Sequence, residues 1–314
     1  MNHARMPYRL GSWKRTVVSV ILVLLISTLL LAAEEDQGQG KLGFWEILAF
    51  PRYWMAAIFS VIGLVLLIRN KVSWNLRTAF LPVIFFVFAV IYGLPWGTFA
   101  QRMGQHPSPV CMITKPFLFL EAGKAVPTIF GVSLLVFGIL TIVGNKLFCG
   151  WVCPVGAFQE LVNRIPLPKK LRVKIPFKVT NSIRFGVFAV FLIVAFTAGF
   201  EIYEYFNPFE FLHWRFEALA IGIFAGTFVA ALFIWRPFCY FLCPMGLLSW
   251  LLEQVSLVRV KVNRPQCDDC NVCVVKAPCP AVPSILEERR IRPDCFACGR
   301  CLDACPREGL SFRV

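Results

Sequence analysis

Six apolar runs leave this chain few folds to choose from. They cover residues 17–33, 54–69, 79–96, 127–147, 183–203 and 217–236. A helix needs about 20 apolar residues to cross a bilayer, within a range of about 17–25. The second run is short, but Arg52 and Arg69 at its ends can snorkel to the interface. The pattern predicts a membrane all-α protein with about six transmembrane helices. Composition agrees, at 58% hydrophobic and 16% charged, where soluble domains run about 45–50% and about 25%. The first run also has the shape of a signal sequence, a basic stretch and then apolar residues ending in Leu31-Ala32-Ala33. Its long basic leader favours an uncleaved first helix.

Orientation follows from Lys and Arg. With the N-terminus inside, inner segments carry 26 Lys/Arg and outer segments 6, while acidic residues split 9 and 9. A Lys/Arg bias of this kind marks the cytoplasmic side. Both termini are therefore expected to be cytoplasmic, in a multi-pass protein of the cell inner (cytoplasmic) membrane. The net charge of +14 is explained by such loops without nucleic acid as a partner.

An internal repeat carries the chemistry. Lys146-Leu147-Phe148-Cys149-Gly150-Trp151-Val152-Cys153-Pro154-Val155-Gly156 aligns with Arg236-Pro237-Phe238-Cys239-Tyr240-Phe241-Leu242-Cys243-Pro244-Met245-Gly246. Each copy follows a run crossing from outside to inside. The third and fourth spans and the fifth and sixth thus read as a parallel internal repeat. Both Cys-x3-Cys-Pro motifs meet the same membrane face. After the first motif, Val155, Phe158, Leu161, Val162 and Ile165 keep helical spacing against Gln159, Glu160, Asn163 and Arg164, as in an interfacial helix. Its Pro then sits at the first helical position. Cys153 and Cys243 fall at or next to a helix N-cap, where the dipole favours thiolate. Cys149, Cys153, Cys239 and Cys243 supply four thiols. They suit a third iron–sulfur cluster, redox dithiols or Cu(I), with small packing residues as the plain alternative.

Residues 263–314 change character. Of 13 cysteines, 8 fall in the last 48 residues, which points to metal chemistry in a reducing compartment. Cys267-x2-Cys270-x2-Cys273-x5-Cys279-Pro280 precedes Cys295-x2-Cys298-x2-Cys301-x3-Cys305-Pro306. The second run matches the bacterial [4Fe-4S] ligand pattern, in which the fourth cysteine serves the other cluster. One cluster is therefore assigned Cys267, Cys270, Cys273 and Cys305, the other Cys295, Cys298, Cys301 and Cys279. The five-residue gap before Cys279 requires a bulge. Four-cysteine zinc sites space their pairs differently. From Arg259 onward ten Lys/Arg outnumber seven Asp/Glu, which suits an acidic cytoplasmic electron carrier or anionic lipid headgroups.

Cys111 stands alone in the outer loop 97–126 near His106 and Met112, and an isolated cysteine there is more often incidental. The only histidines, His3, His106 and His213, lie outside every run, which argues against bis-His haem ligation. Loop 201–217 is aromatic and fits a membrane-interface belt. Glu204, Glu210 and His213 in it also suit a quinol pocket. The chain divides into 1–78 with two helices, 79–258 with four helices and both Cys-x3-Cys-Pro motifs, and 259–314 as an α+β two-[4Fe-4S] ferredoxin domain.

On the paired Cys-x3-Cys-Pro motifs and the C-terminal two-cluster run, roughly residues 79–314 resemble NapH-type membrane polyferredoxins, related to MauN and to the membrane part of NosR. The resemblance implies a membrane-bound electron-transfer subunit of an oxidoreductase complex. It would work between the quinone pool or a cytoplasmic donor and a membrane or periplasmic redox system, with other redox subunits as partners. No nucleotide-binding glycine fingerprint is present. A second resemblance, to copper-handling assembly factors of the CcoG type, implies metal homeostasis. That type carries an extra β-sandwich after its ferredoxin, where this sequence ends at Val314.

Overall fold

The computed structural model describes residues 43–94, 97–104, 107–214, 216–289 and 291–314. The first apolar run, His3 and His106 lie outside the described residues. The other five runs are helical. α1 (Pro51–Ile68) and α2 (Trp74–Phe85, continued by a π turn to Val90) follow one another and meet where Phe59 packs against Phe80 and Phe88. α3 (Gly97–Gly104) and α4 (Cys111–Glu121) follow. Then come α5 (Thr128–Gly144), α6 (Leu147–Trp151) and α7 (Pro154–Asn163). The second half contains α8 (Phe177–Ala198), α9 (Ala218–Phe233), α10 (Pro237–Phe241) and α11 (Pro244–Glu253). Proline opens α1, α7, α10 and α11, where its missing N–H costs nothing.

Among the described residues, only α1 and α8 are long and apolar enough to cross a membrane by length and composition. α5, at 17 residues, is about 25 Å long, short of the roughly 30 Å hydrocarbon layer. Helix length alone thus does not carry six full spans. Large apolar side chains nevertheless stand exposed along outer faces: Ile58, Val61 and Val65 on α1, and Val190, Ile193 and Phe196 on α8.

The repeat is visible in the packing. α7 lies between α2 of its own half and α9 of the other; α11 lies between α8 of its own half and α5 of the other. This exchange buries α7. Gln159, Glu160 and Asn163, expected to face water, are all buried. The helix is a core element and not an interfacial one, because its polar side chains find partners inside the bundle. A second expectation also changes. Segment 97–126, expected as an outer loop, contains α3 and α4, and α4 packs against α5, α8 and α11 as part of the bundle.

The C-terminal domain pairs β1 (Arg259–Val262) with β2 (Leu310–Arg313) antiparallel, Arg259 opposite Arg313 and Val262 opposite Leu310. Short helices α12 (Val272–Lys276), α13 (Ala281–Leu286) and α14 (Arg300–Asp303) lie between the strands in sequence. Its core of Val260, Ile285, Leu302 and Phe312 runs without a break into Leu67, Leu147 and Trp151 of the bundle. The domain is thus docked on the bundle through shared apolar burial.

Candidate iron–sulfur centre

Each half places its two cysteines by the same device. α5 closes at Asn145 (φ 56°), and Lys146 (φ 61°) is also left-handed; in the second half Arg236 takes φ 47°. Left-handed residues with long side chains are strained, by about 1–3 kcal/mol, and persist only where their surroundings hold them. Here buried ion pairs hold both. The reversal opens α6 and α10, which carry Cys149 and Cys239. Cys153 and Cys243 are then the N-caps of α7 and α11.

All four cysteines line one apolar cavity. All four are buried, and electrostatically each has at least one of the others as a neighbour. Phe296, from the C-terminal domain, forms one wall. Pro109 and Phe209, from the two segments expected outside, form part of another. Hydrogen bonds reach the sulfurs: Gly156 N–H donates to Cys153 Sγ at 3.5 Å and Gln159 Nε2 to Cys239 Sγ at 3.4 Å. Gln159 Oε1 accepts from Phe238 N–H at 2.9 Å, fixing the amide.

Burial pushes the Cys149 thiol up to about 12, though Lys146 pulls against it. Burial likewise raises Cys153 despite the Gly156 N–H at its helix N-terminus. The expected thiolate bias is outweighed by desolvation. Among the described residues, no three His, Cys, Asp or Glu side chains converge on a point fit for a single ion. A cubane spreads its four thiolates over separate irons, and four soft donors around a dry cavity fit that group.

A charged frame surrounds the cavity. Glu160 takes Arg77 (3.0 and 2.9 Å), Arg236 (2.6 Å) and Arg164 (3.1 Å). Burial alone would raise its carboxyl; Arg77 and Arg236 overcome that and hold it far below the usual range. Lys146 pairs with Asp294 and, at 3.4 Å, with Glu253, and Arg184 meets Asp294 at 3.2 Å. Burial pushes Glu253 up to about 8 even so. Arg236 Nη1 donates to the Cys149 carbonyl at 2.8 Å, and Arg184 Nη1 to the Cys239 carbonyl at 3.1 Å. Each cation passes over a glycine, Gly156 or Gly246, where a Cβ would sit 3.1 or 2.9 Å from the guanidinium.

The C-terminal cysteines fall into two groups. Burial raises Cys301, and its next perturbers are Cys295, Cys279 and Cys298. Cys279 is raised to about 12 by burial and then by Cys298. Cys273 is raised by burial and then by Cys305, with Cys270 also contributing. The fourth cysteine of each run thus lies beside the triplet of the other. Cys270 is exposed, and Cys267 and Cys305 are half-buried. The group of Cys295 faces the bundle. Asn145 Nδ2 donates to the Cys295 carbonyl at 3.2 Å and Trp151 Nε1 to the Ala297 carbonyl at 2.9 Å. Gly150 lies so close that a Cβ there would be 2.2 Å from the Phe296 carbonyl oxygen.

A family model described as a 4Fe-4S binding domain matches residues 125–177 and 217–265. These ranges hold the two Cys-x3-Cys-Pro motifs and stop before Cys267. The ferredoxin-type protein NapH of Haemophilus influenzae is 28% identical over 200 residues, covering 59% of this chain and 68% of the relative. NapH of Escherichia coli is 26% identical over 246 residues, covering 71% and 84%. The methylamine utilization ferredoxin-type protein MauN of Methylorubrum extorquens is 29% identical over 222 residues, covering 66% and 75%. This chain is similar to the ferredoxin-type NapH and MauN proteins over more than half of its length. No solved structure matches it significantly.

Cys111 begins α4, half-buried, its N–H donating to Ser108 Oγ at 3.2 Å; it is not a wall of the four-cysteine cavity. In loop 201–217, Glu210 accepts from Asn207 Nδ2 at 3.2 Å. The buried acid there is Glu201, which accepts from Thr114 Oγ1 at 2.6 Å and pairs with Lys115. Gln159, Glu160, Arg77, Arg184, Asp294 and Phe296 were not singled out as site residues by pattern. One signal was available: Lys146 and Arg236 occupy the same repeat position, as do Gly156 and Gly246.

Proposed function

We propose that this protein is a membrane-bound electron-transfer subunit with three iron–sulfur ligand sets arranged from solvent to bilayer. The outer set is Cys267, Cys270, Cys273 and Cys305, open to a redox partner at the exposed Cys270. The middle set is Cys279, Cys295, Cys298 and Cys301. The inner set is Cys149, Cys153, Cys239 and Cys243. Bound [4Fe-4S] clusters would supply one-electron storage at potentials set by charge, hydrogen bonding and exposure. The observation that carries this reading is the single apolar cavity holding all four motif cysteines, with Phe296, flanked by Cys295 and Cys298, as its wall.

The chain's own residues do the rest. Gly150, Trp151 and Asn145 fasten the 295–297 loop against the motifs. Gln159 and Gly156 donate to ligand sulfurs, and apolar walls exclude water. α4 and loop 201–217 bring segments expected outside to the inner set, which suits a partner in or across the bilayer. Six spans, cytoplasmic termini and placement in the inner membrane complete the reading, supported by the Lys/Arg bias and the exposed apolar faces of α1 and α8. Partners would be other redox subunits, with the quinone pool on the membrane side and an acidic carrier at the basic domain.

The test is an anaerobic redox titration of the full chain followed by electron paramagnetic resonance. Three cluster signals are expected, and Cys239→Ser should remove one and leave two. Two signals in both proteins would sink the inner set.

A further inference from the structure

The charges around the inner set do not cancel. Glu160 is shared by three guanidinium groups, Arg77, Arg164 and Arg236, whose side chains are at most 5% exposed. One carboxylate against three cations leaves a surplus of two positive charges buried beside the cavity. Lys146 and Arg184 on the other side face Asp294 and Glu253, and that network carries no surplus of negative charge. Buried charge without a counter-charge is costly. Among the described residues, Arg77 Nη1, Arg164 Nε and Arg236 Nε also have no hydrogen-bond partner. Buried cations in surplus favour an anionic group beside them.

Arg236 is the member of this network aimed at the redox site. Its Nη1 donates to the Cys149 carbonyl at 2.8 Å, and its guanidinium lies 4.6 Å from the Phe296 ring centroid. It therefore sits between the inner set and the loop that carries Cys295 and Cys298. A [4Fe-4S] core held by four thiolates is a dianion when oxidised and gains one more negative charge on reduction. Resting on the reading of the inner set as a cluster site, we infer that the Arg77–Arg164–Arg236 network on Glu160 is the fixed counter-charge of that centre. Within it, Arg236 is the positioning residue that raises the centre's reduction potential.

The pseudo-symmetry supplies its own control. Lys146 holds the equivalent left-handed position in the other half, so the fold accommodates lysine there. Arg236→Lys keeps the charge and Arg236→Gln removes it, while Glu160→Gln leaves three cations unopposed. The assay is the midpoint potential of the signal that Cys239→Ser abolishes, measured on the full chain with iron content determined in parallel. Arg236→Gln should lower the reduction equilibrium constant about tenfold or more, which is about 59 mV for one electron. Glu160→Gln should move it the opposite way. Arg236→Lys should stay near wild type, and the signal of the outer set should not move in any variant. Loss of inner-set iron in Arg236→Gln but not in Arg236→Lys also supports the inference, because charge is then what the site requires. Equal loss in both variants, or wild-type iron with unmoved midpoints, overturns it and leaves the inner set standing. Only two cluster signals in the wild type would overturn the underlying reading as well.

Discussion

Replacing Gly150 with alanine should loosen the ferredoxin domain from the bundle. The added Cβ would lie 2.2 Å from the Phe296 carbonyl oxygen, so the 294–298 loop must move. Overpacking of this kind costs about 1–3 kcal/mol. Displacing the loop also loses one of its anchoring hydrogen bonds, Trp151 Nε1 to the Ala297 carbonyl or Asn145 Nδ2 to the Cys295 carbonyl, about 1 kcal/mol more. A total of about 2–4 kcal/mol raises the undocked population roughly 30- to 700-fold, at tenfold per 1.4 kcal/mol. Limited proteolysis reads this directly where opening is fast relative to cleavage. Release of a fragment containing residues 263–314 should accelerate by that factor. Gly222→Ala in α9 is the control, since none of the described residues lies within 4 Å of its Cβ position and alanine is the better helix former by about 0.5–1 kcal/mol. Proteolysis of Gly150→Ala at the wild-type rate would refute the docking account.

Cys305→Ser should damage the set containing Cys267, Cys270 and Cys273; loss confined to the Cys295 set would contradict the crossed assignment. Gly246→Ala puts a Cβ 2.9 Å from Arg184 Nη1 and 2.8 Å from the Cys239 carbonyl oxygen. It should displace Arg184 and deplete inner-set iron, and unchanged iron would show that this contact does not shape the cavity. Topology reporters after residues 40, 124 and 210 should read outside. Position 124 is chosen because Lys124 is exposed while Val110 is fully buried. An inside signal at 210 would separate the two motifs onto opposite faces.

The meeting of Cys149, Cys153, Cys239 and Cys243 was legible in the sequence because the repeat gives both motifs the same place in the fold. Five of the six apolar runs were legible as helices because apolar periodicity survives burial. The role of α7 was not. An amphipathic pattern says that a polar face has partners, without saying whether they are water or side chains, and Glu160 chose three arginines. The Lys/Arg bias had the same blind spot. Arg77, Lys146, Arg164, Arg184 and Arg236 were counted as inner-loop charges, yet each is committed to a buried ion pair, Lys146 and Arg184 with Asp294 of the C-terminal domain. The remaining bias keeps its direction. The packing of α4 into the bundle was hidden by Pro107, Pro109 and Pro116, which read locally as loop. Phe296 was unremarkable between two cysteines until the fold placed it against Tyr240, at 5.5 Å between ring centroids.

The central claim is that the two Cys-x3-Cys-Pro motifs together hold a third cluster. Iron and acid-labile sulfide, counted per chain in the anaerobically purified full-length protein, test it most directly. The full chain is required, because Asp294 and Phe296 complete the inner site and a chain cut before the ferredoxin domain would remove the carboxylate that Arg184 meets and leave Lys146 with Glu253. The account predicts about twelve of each per chain, falling to about eight when Cys149, Cys153, Cys239 and Cys243 are all replaced by serine. About eight in both proteins would contradict it.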